Sequence, residues 1–255
     1  MCCLFGFVDY AGSLSVKQRN RLIRELSIAA EARGTDATGI AYNTSRGLQV
    51  YKRPLAAHRL HLRIPAEARA VMGHTRMTTQ GSAKKNYNNH PFFGHVKEES
   101  FALAHNGVLW NDLELRHAKH LPRTKVQTDS YIAVQLLEQK KSLDFDSLRY
   151  MAEQVEGSFS FTVLDEQSAL WIVKGDSPLS IAYFPERGVY VYASTVEILN
   201  KALTRCGKQL GHRRTVEVEM GDLLKIDRRG HITRATFDAS KLCRPSWKYW
   251  SSSLY

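Results

Sequence analysis

The second residue of the chain is a cysteine. Once the initiator Met1 is removed, Cys2 carries a thiol and a free α-amine on one residue. Such an amine titrates near roughly 7.7–8.0 and a thiol near about 8.5. The amine can therefore act as base for its own side chain, directly or through one water. The plainer reading is a small buried apolar residue, and Cys3 offers a second thiol beside it.

Three further segments carry chemistry. Residues 73–81 read Gly-His-Thr-Arg-Met-Thr-Thr-Gln-Gly. They place Arg76 where an apolar strand runs out, and its planar fork suits a carboxylate. The alternative is a surface arginine before a loop. Residues 104–111 contain Asn106 followed by Gly107. That pair most often marks a turn. It also sets a side-chain amide beside a backbone N–H, two donors that could hold an oxyanion. In Thr128-Asp129-Ser130, Asp129 reads either as a helix N-cap or as a carboxylate for a substrate ammonium.

These residues need elements to position them. An apolar run over residues 3–8 predicts a strand. Ser15 with Gln18 forms a capping-box pattern. Leu22, Leu26, Ala29 and Ala30 follow at helical spacing, predicting a helix over 16–32 that ends at Arg33-Gly34. Strands are predicted over 38–43, 48–52, 69–75 and 101–106, with a long polar loop over 78–94. Helices are predicted over 129–140 and 146–156. Beyond Gly157 the period changes to two, as Phe159, Phe161 and Val163 alternate with Ser158, Ser160 and Thr162. Strands are predicted there and over 169–174, 180–184, 189–193, 222–226 and 232–236, with a helix over 196–205. The order predicts an α+β fold of antiparallel sheets with helices on their outer faces.

Composition bounds the remaining possibilities. The 255 residues are 43% hydrophobic and 24% charged, which fits a globular chain of one or two domains. The net charge of +11 comes from dispersed Lys and Arg, without the long basic arm or groove-reading helix of a nucleic-acid binder. No apolar run approaches the roughly 20 residues of a membrane helix, and the N-terminus lacks a charged secretory start. A cytoplasmic location is expected. Four Cys are too few for a disulfide scaffold. His58-x-x-His61 and His117-x-x-His120 do not complete a metal-ligand set.

The joint order of the segments is more specific than any one of them. Cys2 is followed by Arg33-Gly34-Thr35-Asp36-Ala37-Thr38-Gly39, the 73–81 segment, His90-Pro91, His105 to Asn111, Thr128-Asp129-Ser130 and Gly157-Ser158-Phe159-Ser160-Phe161. Lys174 to Leu179 and Ala193 to Glu197 come later. Over residues 2–230 this succession resembles the class II glutamine amidotransferase (glutaminase) domains, which are N-terminal nucleophile hydrolases.

The resemblance implies a four-layer α/β/β/α sandwich over 2–240, followed by an aromatic tail over 241–255 that holds Trp247, Tyr249, Trp250 and Tyr255. It implies L-glutamine as substrate and no metal or cofactor. Cys2 matches the nucleophile, and Asn106 with Gly107 the oxyanion hole. Arg76 matches the ligand of the α-carboxylate, Asp129 that of the α-ammonium, and Thr79 a pocket residue. Arg33 and Asp36 match a supporting segment. Cys3, Met77, Gln80 and Tyr131 depart from the family pattern, which bears on the pocket lining more than on hydrolysis. The chain reads as a stand-alone glutaminase subunit, its ammonia passing to a separate acceptor synthase subunit for which the tail is a candidate contact. A silent glutamine-binding regulatory module is the alternative, and a basic nucleic-acid-binding protein a more distant one.

Overall fold

The computed structural model describes residues 2–97, 99–206 and 210–242. Of the aromatic tail only Lys241 and Leu242 are described; residues 243–255, including the predicted contact over 247–255, lie outside the described residues.

All seven residues of β1 (Cys3–Asp9) are buried. A strand covered on both faces reads as a continuous apolar run, which is how it appears in the sequence. Helix α1 (Val16–Ala30) opens with the predicted capping box. Ser15 Oγ accepts from the Gln18 N–H, and Gln18 Oε1 accepts from the Ser15 N–H. The helix tightens into a 3₁₀ turn over Glu31–Arg33 and stops before Gly34. Then come β2 (Ala37–Thr44), β3 (Gly47–Arg53), β4 (Ala70–Arg76), β5 (Phe92–Val96) and β6 (Glu99–Leu109). Helices α2 (Asp112–Ala118), α3 (Tyr131–Lys140) and α4 (Phe145–Gln154) follow. The second half holds β7 (Gly157–Asp165), β8 (Leu170–Val173), β9 (Ser180–Phe184), β10 (Val189–Ala193), α5 (Val196–Cys206), β11 (Arg214–Val216), β12 (Asp222–Ile226) and β13 (Ile232–Thr236).

The strands form two antiparallel sheets. One has the order β11-β9-β10-β1-β4-β2-β3, the other β13-β12-β8-β7-β6-β5. Three apolar clusters separate the layers. One lies between the first sheet and α1 with α5, joining Phe5, Phe7, Leu22, Leu26 and Leu199. A second, including Leu103, Leu136, Met151 and Phe161, lies between the other sheet and α2, α3 and α4. The third lies between the sheets and includes Leu4, Met72, Ala102, Ala104 and Ile172. The result is the expected α/β/β/α sandwich. No helix of the described residues is long and apolar enough to cross a membrane.

Three elements depart from the sequence reading. The long loop ends early, because β5 starts at Phe92 and pairs with β6. Its buried and exposed residues alternate, a period that the polar residues around it conceal. Helix α2 is only seven residues long, too short for periodicity to declare. Strand β11 has three residues, none buried. The predicted Asp129 N-cap also moves: the cap position of α3 is Ser130.

Leu26 is fully buried between α1 and the first sheet. Leu26→Ala should destabilise the fold by about 2–5 kcal/mol. The exposed Arg24→Ala on the same helix should stay within about 0.5 kcal/mol. Urea denaturation followed by far-UV circular dichroism checks both.

Candidate active site

Side chains alternate between the two faces of a strand, and that period brings the site together. On β4, Ala70 and Met72 face the other sheet, and Arg76 shares their phase. On β6, Ala102 and Ala104 face the first sheet, and Asn106 shares theirs. Cys3 pairs with Thr75 across β1 and β4, so Cys2 lies level with Arg76. Polar groups thus gather at one end of the inter-sheet space, where the apolar lining runs out.

Arg33 joins two of them. Its Nε–H donates to the Cys2 carbonyl at 2.7 Å, and its Nη2 donates to Asn106 Oδ1 at 3.3 Å. The carbonyl end of the Asn106 amide is therefore turned to the guanidinium and its NH₂ end away from it. Asn106 Nδ2 donates to Ser194 Oγ at 3.4 Å, and the same oxygen accepts from the Leu4 N–H at 2.8 Å. An amide nitrogen carries two protons, so Nδ2 has capacity for a second donation. Gly107 follows at φ +143°, a conformation L side chains rarely adopt. A Cβ there would also overlap the Ser158 carbonyl. Gly34 admits no side chain either, because its Cβ would run into the Arg76 backbone. That close approach lets the Asp36 N–H donate to the Arg76 carbonyl at 2.9 Å. Asp36 Oδ2 in turn accepts from the Thr78 N–H at 2.7 Å. Arg33 and Asp36 therefore brace opposite sides of the same end.

Arg76 is buried. Its Nη1 donates to Asn89 Oδ1 at 2.7 Å, and its Nη2 donates to the Gln80 and Gly81 carbonyls. Asp129 is buried too. Its Oδ2 accepts from the Leu109 N–H at 2.7 Å, which ties it to β6 and not to its own helix. Gln80 reaches both residues, since its Oε1 also accepts from the Asp129 N–H at 3.2 Å. The cation and the carboxylate are thus spanned by one loop residue. Thr79 is exposed on that loop.

Electrostatics distinguishes the two thiols. Burial pushes the Cys2 thiol up, while a hydrogen bond from the Met77 backbone and the nearby Arg76 charge pull it back. The thiol sulfur lies 3.6 Å from the Met77 carbonyl. Burial pushes Cys3 up to about 11, and its side chain sits in the core against α1. Cys3 is a packing residue with little thiolate near neutral pH. Behind Arg76 lie three buried histidines. His74 Nε2 is 3.0 Å from the His105 carbonyl, and the His74 and His90 rings are 4.2 Å apart. Burial lowers all three, His74 to about 3, so they are neutral at physiological pH. Among the described residues no group of three or more His, Cys, Asp or Glu could hold a metal.

The structure brings together Cys2, Asn106, Gly107, Arg76 and Asp129, with Arg33 and Asp36 behind them. The residue types alone assigned no role to Ser194, Asn89 or Ser130. Ser194 lies on the 193–197 segment, whose sequence says nothing of its approach to Asn106. The set gathers a thiol, amide N–H donors, a guanidinium and a carboxylate at one end of the inter-sheet space.

The chain is similar to several known proteins. Residues 74–201 match a family model described as a glutamine amidotransferase domain. The chain is 30% identical over 238 residues to the glutamine–fructose-6-phosphate aminotransferase (isomerizing) of Thermus thermophilus, covering 90% of this chain and 36% of that protein. It is 31% identical over 185 residues to the enzyme of that name from Bacillus spizizenii, covering 69% of this chain and 30% of that protein. It thus spans about a third of the length of these curated relatives. The structure of a glutamine phosphoribosylpyrophosphate amidotransferase from B. subtilis superposes with a TM-score of 0.69 at 20% identity, over 92% of this chain and 49% of that one. That likeness establishes the shared fold.

The environment of Cys3 has a direct consequence. Iodoacetamide at pH 8 should leave Cys3 unmodified in the native chain and modify it once the chain is unfolded in guanidinium. Peptide mass mapping checks this.

Proposed function

Because the chain belongs to the class II glutamine amidotransferase domain family, we propose that it hydrolyses the side-chain amide of L-glutamine to L-glutamate and ammonia, with Cys2 as nucleophile. The observation that most directly supports this is the Arg33 bridge, one guanidinium donating to the Cys2 carbonyl and to Asn106 Oδ1. It holds the backbone of a nucleophile against a donor amide presented by its NH₂ end.

The reaction requires Met1 to be removed. Burial keeps the Cys2 thiol protonated near neutrality, so attack needs a base, and the α-amine of the same residue supplies it. Sulfur bonds to the amide carbon as the thiol proton passes to the amine. The negative charge that forms on the amide oxygen is held by Asn106 Nδ2 and the Gly107 N–H. The amine then returns the proton to the departing nitrogen, ammonia leaves, and a γ-glutamyl thioester remains. Water adds to the thioester with the amine again as base; the C–S bond then breaks, the amine returns that proton to the sulfur, and glutamate is released. Arg76 binds the substrate's α-carboxylate, which takes over from the loop carbonyls of Gln80 and Gly81. Asp129 binds the α-ammonium, and Thr79 lines the rim. Arg33 and Asp36 hold the nucleophile and the loop.

Ammonia freed into water is protonated and loses its nucleophilicity. The curated relatives are named as aminotransferases, and ammonia from this chain is accordingly passed to an acceptor enzyme, on the same polypeptide or on a separate synthase subunit. The free thiols of Cys2, Cys3 and Cys206 fit a reducing cytoplasm.

Intact-mass measurement before and after a chloroketone analogue of glutamine tests the assignment. Loss of Met1 and one adduct are expected, with no adduct on Cys2→Ala; an adduct that persists on Cys2→Ala would overturn it. In steady-state glutaminase assays Asn106→Ala should lower kcat about 100- to 1,000-fold. Arg76→Ala should act mainly by raising KM for glutamine.

A further inference from the structure

We propose that Ser130 is a positioning residue for the substrate's α-ammonium, holding the Asp129 carboxylate in register with the oxyanion strand β6; this rests on the glutaminase reading above. Ser130 occupies the N-cap position of α3, where serine ordinarily spends its oxygen on the helix N–H groups. Here it makes no cap hydrogen bond. Its hydroxyl faces away from the helix, 2.8 Å from His105 Nδ1 and 3.3 Å from Asp129 Oδ1. Ser130, His105 and Asp129 are all buried, each at most 4% exposed.

Proton counting orders these contacts. A hydroxyl has one proton and can also accept. Ser130 satisfies both neighbours when it donates to the carboxylate and accepts from His105 Nδ1–H. In that tautomer Nε2 carries no proton and makes no hydrogen bond to the Ser158 carbonyl, which lies 3.3 Å away, farther than the 2.8 Å between Nδ1 and Ser130 Oγ. The ring is fixed by stacking on Phe161, with centroids 4.6 Å apart. Its backbone carbonyl takes the His74 ring at 3.0 Å. His105 immediately precedes Asn106, and by the strand's alternation it faces α3 while Asn106 faces the first sheet.

Asp129 is thereby held from two sides of β6. The Leu109 N–H takes Oδ2, and Ser130, backed by His105, takes Oδ1. The spacing between the ammonium site and the oxyanion site, which sets how deep the amide must sit, is defined by this cross-link. Loss of the hydroxyl frees Oδ1 to rotate and leaves the oxyanion donors in place.

The test compares Ser130→Ala and Ser130→Thr with the parent enzyme, on glutamine and on 4-carbamoylbutanoate, which is glutamine without its α-amino group. Ser130→Ala should raise KM for glutamine roughly tenfold, the size of one hydrogen bond to a charged group, with kcat within about twofold. Its kinetics on 4-carbamoylbutanoate should match those of the parent, and Ser130→Thr should restore the glutamine KM. Equal losses on both substrates, or an unchanged glutamine KM, would overturn the proposal. If Ser130→Ala fails to fold, Ser130→Cys replaces it, with an intermediate KM expected and an unchanged one counting against. Calorimetric titration of glutamine into Cys2→Ala and Cys2→Ala/Ser130→Ala separates the two readings. A parent that binds glutamine without hydrolysing it sinks the glutaminase reading alone, and the tenfold difference in binding then decides Ser130. Equal binding by both sinks the Ser130 role alone, and no binding by either sinks both.

Discussion

Two sheets packed face to face leave one interior, and the two-residue period of a strand decides which side chains enter it. Everything at the site depends on that constraint. Ala70 and Met72 set the phase that aims Arg76 inward, and Ala102 and Ala104 set the phase that aims Asn106 inward. A shift of β6 by one residue would exchange Asn106 with His105 and turn the donor amide toward α3. The apolar filling of the interior therefore enforces the placement of its polar end.

Burial at that end demands partners. An unpaired buried cation or amide costs several kcal/mol, and the sequence meets the demand with backbone oxygens. Arg33 takes the Cys2 carbonyl, and Arg76 takes the carbonyls of Gln80 and Gly81. The bonds that satisfy these cations also orient the groups beside them. The structural and chemical roles of the arginines are not separable here, and both rest on Gly34 giving the 33–36 segment close access to the end of β4.

The adjacent cysteines show how one strand assigns opposite fates to like residues. Cys3 alternates inward against α1 with Phe5 and Phe7 and is held as a protonated thiol. Cys2 lies one residue earlier, outside the ladder, among Met77, Arg76 and Asp129. The Cys3 thiol is part of the core cluster packed against α1.

Periodicity and caps made most of the layers legible from the chain alone. The buried run of β1, the Ser15–Gln18 box, the helical stripe of α1 and the alternation in β7 are local signals that neighbours need not supply. The ordered motifs likewise singled out Cys2, Arg76, Asn106, Gly107 and Asp129 before any fold was in view. Local pattern missed α2, β5 and β11, which are short or flanked by polar residues and exist because neighbouring elements hold them. The partners of the site were also beyond its reach. That Arg33 reaches Asn106, that Ser194 stands by its amide, and that Ser130 turns from its helix toward His105 are contacts between residues far apart in the chain or on different elements. Only the packing of one sheet on the other, with α3 laid across the second, decides such distances, because no local preference encodes which distant oxygen a buried donor will meet.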